Sequence, residues 1–217
     1  MLPTSNVLNL RPVHVVGVSG PDGAGKSTVI RLLLRSRPDQ GAFLSVYLYG
    51  CFLCRRVPAR RTHGDGETSQ SSDAGFLLAA HGLIDALELW IRLSLAKVRA
   101  RLLSTNKTAA NIVLSDRSPL DGLAKHDPRA GSVTARAFGR LARSYDVIAW
   151  LDAEPQVLAG RDTEHARPEL ERVREAFTRW ATLLPNVARI DATAPPGAVA
   201  SAIRAAHASS VRDRIDA

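Results

Sequence analysis

Short β-branched runs alternate along the chain with longer stretches of helical period. Val13-His14-Val15-Val16-Gly17-Val18-Ser19 is strand-like, and from Ser27 to Arg37 leucines and an isoleucine recur at helical spacing. Residues 42–49, rich in Phe43, Val46 and Tyr47, predict a second strand. Residues 50–72 then break the pattern. Few core residues follow Leu53, a basic cluster gives way to Gly, Ser and Thr, and the stretch reads as a long mobile loop rather than a linker. From Asp73 to Leu103 the spacing predicts a long helix, with Phe76, Leu77, Ala80, Ile84, Leu87, Ile91, Leu95, Val98 and Leu102 forming one i, i+3/i+4 stripe.

The alternation continues to the end of the chain. Ile112-Val113-Leu114-Ser115 predicts a third strand that ends at Asp116, and short helices are expected over 119–124 and 132–144. Strands at 146–151 and 187–190 alternate with helices at 155–160, 168–184 and 196–210. Strand and helix in regular succession imply an α/β fold with a five-stranded parallel sheet covered on both faces. At 217 residues and 45% hydrophobic content the chain suits a single domain spanning 1–217, and no internal repeat is visible.

Between the first strand and the first helix stands Gly20-Pro21-Asp22-Gly23-Ala24-Gly25-Lys26-Ser27, followed by Thr28. This is a complete G-x-x-x-x-G-K-[ST] phosphate-binding loop in the strand-to-helix context that the motif requires. Its glycines let successive backbone N–H groups turn toward phosphate oxygens. Lys26 places a positive charge near the β- and γ-phosphates, and the Ser27 hydroxyl is a ligand for Mg²⁺.

In a parallel α/β sheet ligands sit beyond the carboxyl ends of the strands, so charged residues just after strands carry the most weight. Asp116 and Arg117 follow the third strand. The carboxylate suits Mg²⁺ coordination, directly or through water, and the guanidinium suits a two-pronged grip on phosphate. A helix-capping Asp beside a surface Arg is the alternative. Asp152, after the fourth strand, reads first as a helix cap. Arg161 and Arg167 bracket a non-periodic segment, 161–167, with the character of a lid, in which an arginine would neutralise charge during phosphoryl transfer. Asp22, Asp116 and Asp121 are all candidates for acid–base work, unranked.

Composition narrows the class further. The formal charge of +8 comes almost wholly from arginine, with lysine only at 26, 97, 107 and 125, which suits an enzyme that gathers polyanionic phosphates. The same balance, with Arg55-Arg56 and Arg60-Arg61, would suit a nucleotide-gated switch or a nucleic-acid-associated ATPase. Aromatic content of 5% without basic interleaving argues against base stacking. A module that holds ATP without turning it over would predict a damaged phosphate loop. Cys51 and Cys54 cannot make a four-thiolate site and read as ordinary thiols. With no run of eighteen apolar residues and no secretory leader pattern, the expectation is a cytoplasmic protein that does not insert into membranes.

Taken together, GPDGAGKST at 20–28, IVLSDR at 112–117, WLDAEPQVLAGR at 150–161, PELERVREAF at 168–177 and LPNVARIDAT at 184–193 resemble the thymidylate kinase-like family of phosphate-loop kinases. The similarity covers nearly the whole chain in the right order. It implies a three-layer phosphate-loop NTPase fold of the nucleoside-monophosphate-kinase type, Mg·ATP as donor and a small-molecule phosphate acceptor, and it leaves a homodimer open. In that resemblance Gly20, Asp22, Gly23, Ala24, Gly25, Lys26, Ser27 and Thr28 hold the donor phosphates, with Ser27 and Asp116 at the metal. Asp22 approaches acceptor hydroxyls and magnesium, and Arg117 the acceptor or its phosphate. Arg161 meets the adenine face and phosphates, and the loop from Asp191 to Pro195, including Thr193, meets the adenine edge. Asp121 and Lys125 join the acceptor-side set.

The departures from that family concern the acceptor. The Arg-Glu-Pro-Gly-Gly-like motif after the second strand is replaced by the unrelated segment 50–72. The aromatic and arginine that hold thymine correspond to Leu78 and Gly82, and the usual Ala-Tyr-Gln corresponds to Ala124-Lys125-His126. The pattern of Asp116, Arg117, Asp121, Asp127, Pro128 and Arg129 instead resembles a divergent kinase branch found beside cell-surface polysaccharide or natural-product genes.

Overall fold

The computed structural model describes residues 13–35, 43–45, 71–103, 111–161 and 167–216. In chain order these form β1 (Val13–Ser19), α1 (Lys26–Arg35), β2 (Phe43–Ser45), α2 (Ser71–Leu103), β3 (Asn111–Asp116), α3 (Pro119–His126), α4 (Val133–Ala142), β4 (Val147–Asp152), α5 (Pro155–Arg161), α6 (Arg167–Ala181), β5 (Val187–Asp191) and α7 (Pro196–Ile215). The strands are all parallel in the order β2-β3-β1-β4-β5.

Five full strands were expected from the sequence. The sheet has four strands of ordinary length, and the second predicted strand, 42–49, is described only at 43–45, a three-residue edge segment paired with 112–114 of β3. The predicted loop 50–72 overlaps α2 at Ser71 and Ser72, and its other residues, including Cys51, Cys54, Arg55, Arg56, Arg60 and Arg61, lie outside the described residues. So do 162–166 of the predicted lid, whose two ends are helical: Arg161 closes α5 and Arg167 opens α6.

The apolar runs of β1, β3 and β4 are buried along nearly their whole length because helices cover both faces of the sheet. On one face Val16, Val18, Leu114, Ala149 and Leu151 pack against Val29, Ile30 and Leu33 of α1 and Val199, Ala200 and Ile203 of α7. On the other, Val15, Val113, Ile148 and Trp150 pack against α2, α3, α4 and α6, with Phe138 and Phe177 among the larger side chains.

The face that α2 turns inward is not the one its sequence stripe suggests. An apolar stripe on a helix ordinarily marks the core side, yet Ile84, Leu87, Ile91, Leu95, Val98 and Leu102 are all exposed. The buried side is Gly82, Asp85, Ala86, Leu93, Ala96 and Ala100. Small residues let the helix lie close to its neighbours: a Cβ added at Gly82 would stand 2.5 Å from Thr134 Cγ2 of α4. No helix among the described residues is long and apolar enough to cross a membrane.

Candidate functional site

The phosphate loop leaves the carboxyl end of β1 and enters α1 at Lys26. Three of its glycines, Gly20, Gly23 and Gly25, have φ of 147°, 80° and 84°, the region that side-chain-bearing residues avoid. Gly20 is also sterically required, since a Cβ there would meet the Leu151 carbonyl oxygen at 2.7 Å. Gly25 opens onto empty space, with nothing within 4 Å of a built Cβ. Lys26 is buried and folds back over the loop, donating from Nζ to the carbonyls of Gly20 (2.7 Å) and Pro21 (2.9 Å) and to Asp22 Oδ1 (3.2 Å).

Beside this loop lies the end of β3, because β3 pairs with β1 in a register that sets Asp116 opposite Val18. Asp116 is buried. Arg117 has φ of 88°, a costly conformation for an arginine. It is held there by its N–H donating to Val18 O (3.0 Å) and by Ser115 Oγ donating to its carbonyl (2.5 Å). The bend brings the guanidinium to Asp22 Oδ1 at 3.3 Å, so one exposed carboxylate links Lys26 and Arg117.

Helix α3 starts at once from this bend. Ser118 is its N-cap and accepts from Leu120 N, Pro119 occupies the first turn, and Asp121 completes a capping box by accepting from Ser118 N at 2.7 Å. The other oxygen of Asp121 accepts from Gly20 N at 3.4 Å, and Ser118 Oγ meets Ser19 Oγ at 2.5 Å. The buried Asp121 thus ties the first glycine of the phosphate loop to the helix that follows Arg117.

These pieces enclose a cavity of about 550 Å³. One wall is the phosphate loop with Lys26, Ser27 and Thr28, and Asp116, Arg117 and Asp121 lie beside it. The facing wall comes from α2, with Asp85, Glu88, Leu89 and Arg92, and from Lys125 of α3; Arg161 borders the opening. Asp85 is buried and its Oδ2 takes both Lys125 Nζ (3.1 Å) and His126 Nε2 (2.7 Å), while Glu88 pairs with Arg92 at 2.5 Å.

The α2 wall was missed in the sequence. Asp85, Glu88 and Arg92 recur at i, i+3 and i+7 in an otherwise apolar helix, and that polar stripe was the available signal. The expected residues Asp22, Gly23, Gly25, Lys26, Ser27, Thr28, Asp116, Arg117, Asp121, Lys125 and Arg161 all line the one cavity. Thr193 does not. It caps its own turn by donating from N and Oγ1 to Asp191 Oδ1, and Arg161 reaches that turn by donating to Ala192 O at 3.1 Å.

Asp152 is an ion-pair hub rather than the cap of α5. Arg174 of α6 bonds it through Nε (2.8 Å) and Nη2 (3.1 Å), and Arg189 of β5 through Nε (2.9 Å) and Nη2 (2.5 Å). Burial raises its carboxyl, but the hydrogen bonds from Arg174 and Arg189 outweigh that and leave it below the usual carboxylate range. A depressed folded value means that the stability this group contributes is full above about pH 3.9, the unfolded value, and is lost as pH falls through the folded one. Asp152→Asn should therefore cost about 1–2 kcal/mol at neutral pH, a modest figure because both arginines are partly exposed. Thermal unfolding of the two proteins against pH checks this, the gap in Tm closing in acid.

No protein-family model matches the chain, and no curated protein matches it either.

The residues at the loop fit a nucleoside triphosphate with its magnesium. Gly20, Gly23 and Gly25 have the positive φ of a tight turn just before the N-terminus of α1, and Ser27 and Asp116, which carry oxygen donors, line the same cavity. Magnesium takes few protein ligands and completes its shell with water and phosphate, so a cage of protein side chains is not needed.

Proposed function

We propose that the protein is an ATP-dependent phosphotransferase of the nucleoside-monophosphate-kinase type that moves the γ-phosphoryl group of Mg·ATP to a small-molecule acceptor. The observation that carries this reading is the shared cavity: a complete phosphate loop on one side, a second wall of charged residues on the other, and Arg117 between them. A switch needs the first wall alone.

In this reading Ser27 and Asp116 hold Mg²⁺, which would offset charge on the β- and γ-phosphates. The loop N–H groups fix the donor phosphates, and Lys26 exchanges the Gly20 and Pro21 carbonyls for phosphate oxygens. Arg117, freed from Asp22, grips the transferring group or the acceptor. Asp22 is then close to the acceptor hydroxyl and able to take its proton. Arg161, anchored at Ala192, flanks the donor end. Asp121 acts by positioning, since both its oxygens are engaged by backbone N–H groups.

The α2 wall bears on which acceptor enters. Gly82 stands where the resembled family has its thymine-binding arginine, and the close approach of Thr134 leaves no room for any side chain there. Lys125 and His126, where base-reading groups would stand, are turned to Asp85. Thymidylate should be at least a hundredfold poorer than the best acceptor, because a site without matching polar partners loses discrimination of that order. Release of ADP across a panel of nucleotides, nucleosides, sugars and polyols tests both points. Efficient phosphorylation of thymidylate with selectivity over the uridine and cytidine monophosphates would contradict the reading of the α2 wall, and no acceptor-dependent release at all would contradict the phosphotransferase.

A further inference from the structure

The wall of the cavity that faces the phosphate loop carries its positive charges already matched. Arg92 is paired with Glu88 on the preceding turn of α2 at 2.5 Å, and Lys125 Nζ reaches Asp85 Oδ2 at 3.1 Å. His126 Nε2 donates to that same oxygen at 2.7 Å. Asp85 is only 2% exposed, so water and salt do little to screen its charge. A molecule entering on this side therefore meets fixed carboxylates as well as cations. Gathering a phosphate monoester calls for the opposite balance, with cations in excess. The same wall also has an apolar part in Leu89 and Phe138. The Phe138 ring lies tight against α3, where a Cβ added at Gly122 would stand 2.4 Å from Cε1 and Cζ, and His126 stacks on it with 20° between the planes.

We infer that this wall holds an uncharged polyhydroxy compound, whether a sugar, a cyclitol or the ribose of a nucleoside, and not a phosphate ester. Each hydroxyl donates one hydrogen bond and accepts others, so a carboxylate beside a cation matches a pair of neighbouring hydroxyls. The Glu88–Arg92 and Asp85–Lys125 pairs supply two such matches, and Leu89 with Phe138 receives the C–H face of the ring. A monoester would instead bring a charge of about −2 toward Asp85 and Glu88, a repulsion that discriminates against it. That the bound compound is also the acceptor rests on the phosphotransferase reading. In that case one of its hydroxyl oxygens forms the new bond to the γ-phosphorus. The bond to the β,γ-bridging oxygen breaks with its electron pair leaving on ADP, and the hydroxyl proton passes to Asp22. Arg117, bonded to Asp22 on the other side of the cavity, is then left to the transferring phosphoryl group.

Calorimetry on the full chain holding Mg·ADP tests it with matched pairs, each a neutral compound and its own monoester: glycerol and glycerol phosphate, ribitol and ribitol phosphate, inositol and inositol monophosphate, uridine and uridine monophosphate. In the pair that binds tightest, the neutral member is expected to bind on the order of tenfold or more tighter than its monoester. Which pair that is tells a polyol or cyclitol from a nucleoside. A monoester that binds as tightly as its neutral partner would overturn the inference, and so would a set in which no neutral member binds. Glu88→Gln keeps the shape of the side chain and removes the charge beside Arg92, so the preference should shrink by about threefold or more. An unchanged preference would overturn the charge argument. If circular dichroism shows that variant misfolded, Lys125→Met serves in its place, the lysine being 57% exposed. There the neutral member should lose affinity, and a loss confined to the monoester would mark a phosphate contact and overturn the inference. Release of ADP from Mg·ATP with the same compounds is read separately. Neutral compounds that bind without any release would refute the phosphotransferase and leave the assignment of this wall standing.

Discussion

Replacing Lys26 with alanine should lower phosphoryl transfer on the order of a thousandfold while leaving the chain folded. The ammonium is held by two loop carbonyls and Asp22, at the point where the β- and γ-phosphates would enter. A preplaced positive charge at a developing negative one is worth several kcal/mol in a water-poor site, and phosphoryl transfer depends on such charges more than on covalent chemistry. Calorimetry with Mg·ATP should show weaker binding, and the ADP assay the lost turnover. Circular dichroism and the urea midpoint separate this from misfolding. A variant with unchanged affinity and turnover would remove Lys26 from the site.

The second large effect is expected at Gly20. Its φ of 147° disfavours any side chain, and a Cβ would stand 2.7 Å from the Leu151 carbonyl oxygen, backbone that cannot swing aside. Gly20→Ala must therefore push β1 and β4 apart or rotate the loop, at a cost of about 3 kcal/mol from strain and overpacking together. Rotation would also break the Gly20 N–H bond to Asp121 and move the cradle, so Mg·ATP affinity should fall at least tenfold. Gly25→Ala is the control. It has the left-handed φ but open space around it, and only the conformational term of about 1 kcal/mol remains. Urea unfolding of both variants should rank them in that order. Equal midpoints would mean that the approach to Leu151 is not tight.

Local signals made the phosphate loop and the strand ends legible in the sequence. Glycine spacing, the β-branched run before it and the helical run after it all lie within a few residues, and Asp116 and Arg117 stand out because a strand stops there. What was not legible depends on which face of a helix turns inward. On α2 most of the larger side chains, Leu93 apart, point to solvent, while Gly82, Ala86, Ala96 and Ala100 point inward, and at Gly82 the approach of Thr134 of α4 is too close for hydrophobic bulk. Asp85, Glu88 and Arg92 escaped for the same reason: their place in the cavity follows from the rotation of α2. Asp152 looked like a cap since a helix begins nearby, but its partners Arg174 and Arg189 come from α6 and β5, and only the fold brings them together. Asp121 looked like an acid–base candidate, whereas its capping box was already written in the spacing of Ser118 and Asp121.

The most direct measurement follows the γ-phosphate itself. ATP labelled at that position, with Mg²⁺ and each member of the acceptor panel, is incubated with the wild-type protein and with Lys26→Ala, and the label is traced by separation of the products. Label appearing on one acceptor class, with matching ADP and with loss of transfer in the variant, is the expected result. Label that stays in ATP, or that appears only as inorganic phosphate at a rate indifferent to every acceptor, would contradict a phosphotransferase.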